Sequence, residues 1–347
     1  MCARQLKSFS KDYETLKVVL FAFFLLLFSV TPKELPAAPL YEGKVIKMIV
    51  GTEPGGYYDV QARLLSKYLP KYIPGKPTIV IENMPGAAGV VASNYIYNSA
   101  KPDGLTIGTV LRGLPFAQLL KAEGVKFDLR KFSWIGSVGR EATVLAIRTD
   151  LPYKTYEDLR KAKDPIYLAC SGTTSKDYHF PSLLKEFLGL NIKMVIYSSS
   201  TAGVLAIERK EADGRGGSYG TLKGLVERGL LRLLLRGRVA EPGIEDLRID
   251  EDLATDKMGK TLMSLLSAPD QSACRPYIAP PGTPAEVMNT LRDAFDKAVK
   301  DPDLQADSKK LMILSVYVTA DECLKMLNYI FNQPDDVVRE FSKYIKL

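Results

Sequence analysis

The chain has 347 residues, with 47 Lys and Arg against 40 Asp and Glu (net +7), one His, one Trp and four Cys. An apolar content of 46% is too high for a disordered chain, the length suits two domains, and a lone histidine excludes a two-His zinc site or an H-E-x-x-H helix. The cysteines are dispersed with no C-x-x-C, which excludes a zinc ribbon, and the basic balance raises nucleic acid as a partner to be tested.

Arg4, Lys7, Lys11 and Lys17 precede an uncharged thirteen-residue run at 18–30, followed by Thr31-Pro32 and by Ala37 and Ala38. That order predicts a signal peptide over 1–40. Thirteen helical residues span about 20 Å, short of the ~30 Å hydrocarbon core, so a spanning anchor is the weaker reading. It stays open because Leu35 or Pro36, not Ala, stands two residues before the candidate cleavage alanine. Without 1–40 the chain keeps 42 basic and 37 acidic residues, a net +5. Export leaves Cys170, Cys274 and Cys323 in an oxidising compartment, where at most one disulfide forms. Cys170 ends an apolar run and reads as a buried thiol; whether Cys274 and Cys323 pair stays open.

VIKMIV (45–50) reads as a buried strand, 60–69 as a helix, TIVIEN (78–83) as a strand, 89–98 as a helix and LTIGTVL (105–111) as a strand. This β-α-β-α-β order predicts an α/β fold with a parallel sheet. A second series follows: a strand at 143–148, a helix at 155–163 capped by Thr155 with Asp158, a strand at 166–170, a helix at 179–188, a strand at 193–197, a helix at 202–210 and a strand near 213–218. LLRLLLR (230–236) suits a strand or a buried helix. Residues 237–272 read as charged and irregular. A strand and Pro-rich turn at 277–283 lead to helices at 284–300, 319–332 and 335–346. Internal repeats and a further membrane-length apolar run are both lacking.

Two strand-to-helix turns carry chemistry. In Gly51-Thr52-Glu53-Pro54-Gly55-Gly56-Tyr57-Tyr58-Asp59, glycines free the backbone and Asp59 is placed to cap the next helix. Cys170-Ser171-Gly172-Thr173-Thr174-Ser175 repeats the pattern. Each helix start offers N–H donors and partial positive charge to an anion, although such turns also serve packing alone. Ala254-x4-Gly259-Lys260-Thr261 lacks the buried strand a P-loop needs. Because no G-x-G-x-x-G follows a strand, a dinucleotide site is unsupported. His179 near Ser171 and Ser175 lacks a nucleophile elbow and reads as a helix residue. No basic patch interleaved with aromatics supports nucleic acid.

The segments YEGKVIKMIVGTEPGGYYDVQARLL (41–65), IENMPGAAGVVASNYIYNSAKPDGLTIGTV (81–110), AIERKEADGRGGSYGTLKG (206–224) and YIAPPGTPAEVMNTLRDAFDKAVKDPDL (277–304) resemble the extracytoplasmic solute receptors of tripartite tricarboxylate transporters, the Bug receptor family. The resemblance covers about 41–335 and rests on PGG-x-x-D followed by E-N-x-P-G-A-x-G. It implies an α/β type II periplasmic-binding-protein fold, two lobes joined by two crossover segments. Lobe one would be 41–140 with 275–347 and lobe two 141–274, with TVLAIR and CRPYIAP as the crossings. It also implies a small carboxylate held by backbone N–H groups from both lobes. Carried onto this sequence, the first-lobe loop is Gly55, Gly56, Tyr57, Tyr58 and Asp59, and a second wall is Asn83, Pro85, Gly86 and Ala87. The second-lobe loop is Ser171, Gly172, Thr173 and Thr174. Tyr197 with Ser198, and Asp213 with Arg215 and Ser218, line the cleft.

Tyr57 and Tyr58 depart from the commoner pattern and would narrow the cleft or add hydroxyl donors. Arg112 and Arg215 are each placed either to grip a carboxylate or to form internal salt bridges. The expectation is therefore a monomeric, non-catalytic periplasmic receptor that needs no metal or cofactor and binds no nucleic acid. Its partners would be a small organic acid and membrane transporter subunits. A membrane-tethered sensor without a transport role is the alternative, and an enzyme on the same fold is disfavoured by the lack of a nucleophile or metal motif.

Overall fold

A computed structural model describes residues 40–311, 313 and 315–345. The expected export segment lies outside them, apart from Leu40. Among the described residues no helix is long and apolar enough to cross a membrane.

The first series runs β1 (Val45–Val50), α1 (Tyr57–Tyr68), β2 (Thr78–Asn83), α2 (Val90–Asn98), β3 (Thr106–Thr109), α3 (Leu114–Leu119) and β4 (Ser133–Val138). The second runs β5 (Thr143–Arg148), α4 (Tyr156–Arg160), β6 (Ile166–Cys170), α5 (Lys176–Leu188), β7 (Ile192–Ile196), α6 (Ser200–Glu208), β8 (Gly214–Ser218), α7 (Tyr219–Glu227), β9 (Leu231–Arg236), α8 (Asp250–Leu253) and α9 (Lys257–Ser272). The chain then returns through β10 (Pro276–Ala279), α10 (Ala285–Val299), α11 (Pro302–Lys310), β11 (Tyr317–Thr319), α12 (Ala320–Phe331) and α13 (Asp335–Tyr344).

One sheet has the order β11-β4-β10-β3-β1-β2 and the other β7-β6-β8-β5-β9. Strands β2, β1 and β3 are parallel, as are β7, β6 and β8, which is what helix-linked strands require. β10 enters the first sheet antiparallel between β3 and β4 because the chain reaches it from the other sheet. The two sheets are joined by crossovers at 139–142 and 273–275. This is the two-lobed α/β architecture expected from the sequence.

Both turn regions sit at the carboxyl ends of parallel strands, where open α/β sheets place ligands. Gly216 lets α5 approach the second sheet closely. A Cβ there would lie 2.6 Å from Pro181 Cγ and 3.2 Å from Phe180 Cδ1. Thr155 and Asp158 form the reciprocal cap expected: Asp158 N–H donates to Thr155 Oγ1 (3.1 Å), and Thr155 N–H to Asp158 Oδ2 (3.0 Å).

Several expectations need correction. TVLAIR is not a crossing but strand β5, paired with both β8 and β9; the crossing is the preceding 139–142. Asp59 is not the cap of α1, which begins at Tyr57 with Gly56 in the capping position. Residues 257–272, read as irregular, form the sixteen-residue helix α9, capped by Asp256 accepting from Gly259 N–H at 2.7 Å. Its buried face mixes Leu262, Leu265 and Leu266 with Ser267, Pro269 and Asp270, so the apolar period is blurred. Gly259, Lys260 and Thr261 are in its first turns, preceded by the short helix α8 and no strand. Strand β4, which pairs with β10 and β11 around Trp134, is not signalled by its short SWIGSV run.

Candidate functional site

The first turn is shaped from behind by Asp59. Its Oδ2 accepts Gly55 N–H (2.9 Å) and Arg63 Nε–H (2.8 Å), and its Oδ1 accepts Asn83 Nδ2–H (2.9 Å). Asn83 Nδ2 also donates to the Thr52 carbonyl (2.9 Å). Burial raises the Asp59 carboxyl, but Arg63, the Gly55 N–H and Asn83 outweigh it and hold it at about 2.

The second turn is organised by Asp177, in the first turn of α5. It accepts Ser171 N–H (3.1 Å) and Ser171 Oγ–H (2.9 Å), and it bonds Ser175 Oγ and the Arg215 guanidinium. Arg215 also donates from Nη1 to the Ser200 carbonyl (2.9 Å). Thus two amides expected to face a ligand, those of Gly55 and Ser171, donate to the chain's own carboxylates. Arg215 takes the salt-bridging alternative.

Between the turns lies a cluster of charges that meets at the crossovers. Glu141 and Arg275 stand one on each crossover, with Arg275 Nη2 donating to Glu141 Oε2 at 2.9 Å. Arg112, just past β3, brings Nη1 to 2.8 Å from the same Oε2 and to 3.5 Å from Asp270 Oδ1. Lys176, the first residue of α5, pairs with Asp270 on α9. Thr143 Oγ1 donates to Asp270 Oδ2 (3.0 Å). Tyr58 accepts Arg112 N–H and donates to the Cys274 carbonyl, both at 3.0 Å. The Tyr57 ring lies under the Arg275 guanidinium, 3.9 Å from its centroid.

Burial raises the Glu141 carboxyl, but Arg112 and Arg275 overcome this and hold it at about 2. Burial, helped by the Arg112 charge, pushes the Lys176 ammonium down to about 7 against the pull of Glu141 and Cys274. Burial lifts the Tyr58 phenol to about 12. The thiols of Cys170, Cys274 and Cys323 are free and buried. Burial raises those of Cys170 and Cys274 to about 11 and that of Cys323 further. These are inert thiols.

Asp250, opening α8, belongs to the margin of this cluster. Its Oδ1 accepts Glu251 N–H (2.8 Å), its Oδ2 has no partner, and burial lifts its pKa to about 7. A raised carboxyl leaves the folded chain holding a proton that the unfolded chain has lost. Stability therefore falls as the pH climbs from about 4 to about 7. Asp250→Asn is expected to gain roughly 2–4 kcal/mol at pH 8 and almost nothing at pH 4, read by urea denaturation at both. Equal gains at the two pH values would contradict this.

A cavity of about 510 Å³ opens beside the cluster. The first sheet's side supplies Tyr58, Ala87, Ala88, Val90, Leu111, Arg112, Gly113, Leu114, Phe116, Ala117, Ala122 and Glu123. The second sheet's side supplies Thr174, Lys176 and His179, and α9 supplies Leu266, Pro269 and Asp270. His179 Nε2 is 2.9 Å from the Thr173 carbonyl oxygen. A smaller cavity of about 270 Å³ shares Tyr58 and Arg112 and adds Tyr57, Glu141, Ser218, Gly220, Thr221 and Arg275.

Of the residues singled out from the sequence, these cavities bring together Tyr57, Tyr58, Ala87, Arg112, Thr174 and Ser218. Gly55, Gly56, Asp59, Asn83, Pro85 and Gly86 form the turns behind that wall, and Ser171, Gly172 and Thr173 the second turn. Tyr197 and Ser198 follow β7, with Tyr197 N–H donating to the Cys170 carbonyl (2.9 Å). Arg215 is turned inward to Asp177. Asp213 immediately precedes β8, roughly 16 Å along the chain from Ser218, and accepts Tyr167 N–H (2.9 Å) at the sheet's other end. Sequence reasoning missed Lys176, Asp177, Glu141, Asp270 and Arg275. Lys176 and Asp177 were signalled by their place just after the second turn; the other three carry no local signal. Among the described residues no group of three or more His, Cys, Asp or Glu side chains is arranged to hold a metal ion.

Comparison with known proteins agrees with this architecture. The family model described as "Tripartite tricarboxylate transporter family receptor" matches residues 62–342. A UPF0065 protein of Bordetella pertussis is 26% identical over 274 residues, 76% of this chain and 79% of its own. The crystal structure of a TctC solute binding protein from Polaromonas superposes with a TM-score of 0.70 at 19% identity, covering 87% of this chain and 99% of that one. MatC from Rhodopseudomonas palustris, with bound malate, gives a TM-score of 0.61 at 19% identity, covering 88% and 100%. The matched span takes in the whole second sheet and every strand of the first except β1, and the chain belongs to the tripartite tricarboxylate transporter receptor family.

Proposed function

We propose that this chain is a periplasmic receptor, exported by its N-terminal segment, that captures a small organic carboxylate and presents it to the membrane subunits of a tripartite tricarboxylate-type transporter. The observation that carries the reading is the cavity of about 510 Å³ lined from both sheets, with Arg112 and Lys176 at one corner. With Lys176 protonated, Arg112, Lys176 and Arg275 meet two carboxylates, Glu141 and Asp270, so the cluster in that state favours one further negative charge, which in turn favours the protonated Lys176. Family membership and the malate bound by MatC support an organic acid as cargo.

In this reading residues 41–140 with 275–347 form one lobe and 141–274 the other, and the crossovers at 139–142 and 273–275 act as the hinge. A ligand at about 1,000 times its Kd adds ~4.1 kcal/mol to the folded state. At about 2 °C per kcal/mol for a chain of this size, that is a rise in Tm of about 8 °C. Thermal unfolding against a broad panel of mono-, di- and tricarboxylates tests it. A panel without any shift overturns the reading.

A further inference from the structure

We propose that the cargo is a monocarboxylate with an extended apolar body, and that Glu123 on the cavity wall disfavours acids carrying a second carboxylate. The inference rests on the receptor reading above and names the class of its ligand.

The cavity has its positive charge in one corner. Arg112 and Lys176 both reach Asp270, one at 3.5 Å and the other in direct contact, so they flank a single carboxylate. Asp270 is 2% exposed, and its Oδ1 accepts no hydrogen bond. A ligand carboxylate entering between the two cations completes an alternating arrangement of charges. Gly55 and Ser171 amides, which would otherwise hold an anion, already donate to Asp59 and Asp177. With those two amides engaged, the carboxylate is assigned to the side-chain corner, where the positive charge lies.

The remaining wall is mostly hydrocarbon: Val90, Leu111, Leu114, Phe116, Ala117 and Leu266. Among the described residues lining this cavity, no Lys or Arg other than Arg112 and Lys176 is present. His179 keeps its Nε2 against the Thr173 carbonyl. The other carboxylate on the wall is Glu123, exposed on the segment after α3. A second carboxylate on the ligand would thus leave water to lie among apolar side chains, with a like charge beside it and no cation to meet it. A volume of about 510 Å³ lies within the range of pockets that enclose ligands with substantial apolar bodies.

Isothermal titration of the purified exported protein with butanoate, hexanoate and octanoate, and with the dicarboxylates of the same lengths, tests this. In the monocarboxylate series Kd is expected to fall by about fourfold per added methylene until the cavity is filled. Octanedioate is expected to bind at least about tenfold more weakly than octanoate. Glu123→Lys should narrow the preference for octanoate over octanedioate by about tenfold. Octanedioate binding as tightly as octanoate overturns the inference, and so does a Glu123→Lys protein with an unchanged ratio. If only dicarboxylates bind, the receptor reading stands and this inference falls. If no carboxylate binds, both fall.

Discussion

Glu141→Ala is expected to lower the stability of the folded chain by about 3–5 kcal/mol, because it removes the one carboxylate that the buried Arg275 and the partly buried Arg112 share. Arg275 has a side chain only 6% exposed; it donates to Glu141 at 2.9 Å, and its Nη1 is already without a partner. Arg112 sits 2.8 Å from the same oxygen. With Glu141 gone, Arg275 is left against the face of Tyr57, and Arg112 with Cys274 and the 3.5 Å contact with Asp270. At about 2 °C per kcal/mol, Tm should drop by roughly 6–10 °C.

The pH dependence separates this loss from a packing defect. A carboxyl held at about 2, where it would otherwise titrate at 4.5, contributes stability that is complete above 4.5 and is lost as the pH falls towards 2. The gap between wild type and Glu141→Ala should therefore narrow across that window. Glu141→Met combined with Arg275→Met should recover part of the loss, since an apolar pair of similar volume leaves no unpaired Arg275 charge. A single mutant within about 1 kcal/mol of wild type would refute the cluster's structural role. A double mutant as unstable as the single would refute the charge explanation.

Much of the frame was legible because each piece of it is local. VIKMIV and TIVIEN read as strands from their own side chains, and they pair in parallel register as β1 and β2, Ile46 beside Ile79 and Met48 beside Ile81. The two Gly- and Ser-rich turns show themselves by the change from strand to helix. What escaped was whatever depends on partners far along the chain. Glu141, Asp270 and Arg275 are separated by up to 134 residues, and each alone reads as an ordinary surface charge. They meet because the chain crosses between sheets twice, and no local periodicity reports that. Arg112 and Arg215 stand out in the sequence, yet their two readings separate only once Glu141, Asp270 and Asp177 are found beside them. Helix α9 escaped for a related reason. It packs against α12, α5 and α13 at once, so Ser264, Ser267 and Asp270 stand where a one-sided helix would show leucines.

Asp177→Asn should be as costly as the loss of Glu141, about 3–5 kcal/mol, and should also weaken ligand binding by about tenfold or more. The side chains of Asp177 and Arg215 are each only 6% exposed. The pair has room because the chain places glycine around it: a Cβ on Gly203 would lie 3.2 Å from Arg215 Nη1, and one on Gly217 3.3 Å from Asp177 Cβ. An asparagine fits that space but carries no charge, and its amide hydrogens face donors, namely Ser171 N–H and Arg215. The arginine is left buried with only the carbonyl and hydroxyl of Ser200. The second effect follows from connectivity. Asp177 ties down both ends of the 171–175 turn through Ser171 and Ser175, and that turn delivers Thr174 and Lys176 to the cavity wall. Releasing it moves one of the two cations at the ligand corner. Urea denaturation reads the first effect, and titration with the tightest carboxylate reads the second. Arg215→Met in the Asp177→Asn background should restore stability without restoring affinity, because removing the stranded charge does not re-anchor the turn. Recovery of both together would show that the turn holds its shape without Asp177, and that the carboxylate serves the fold alone.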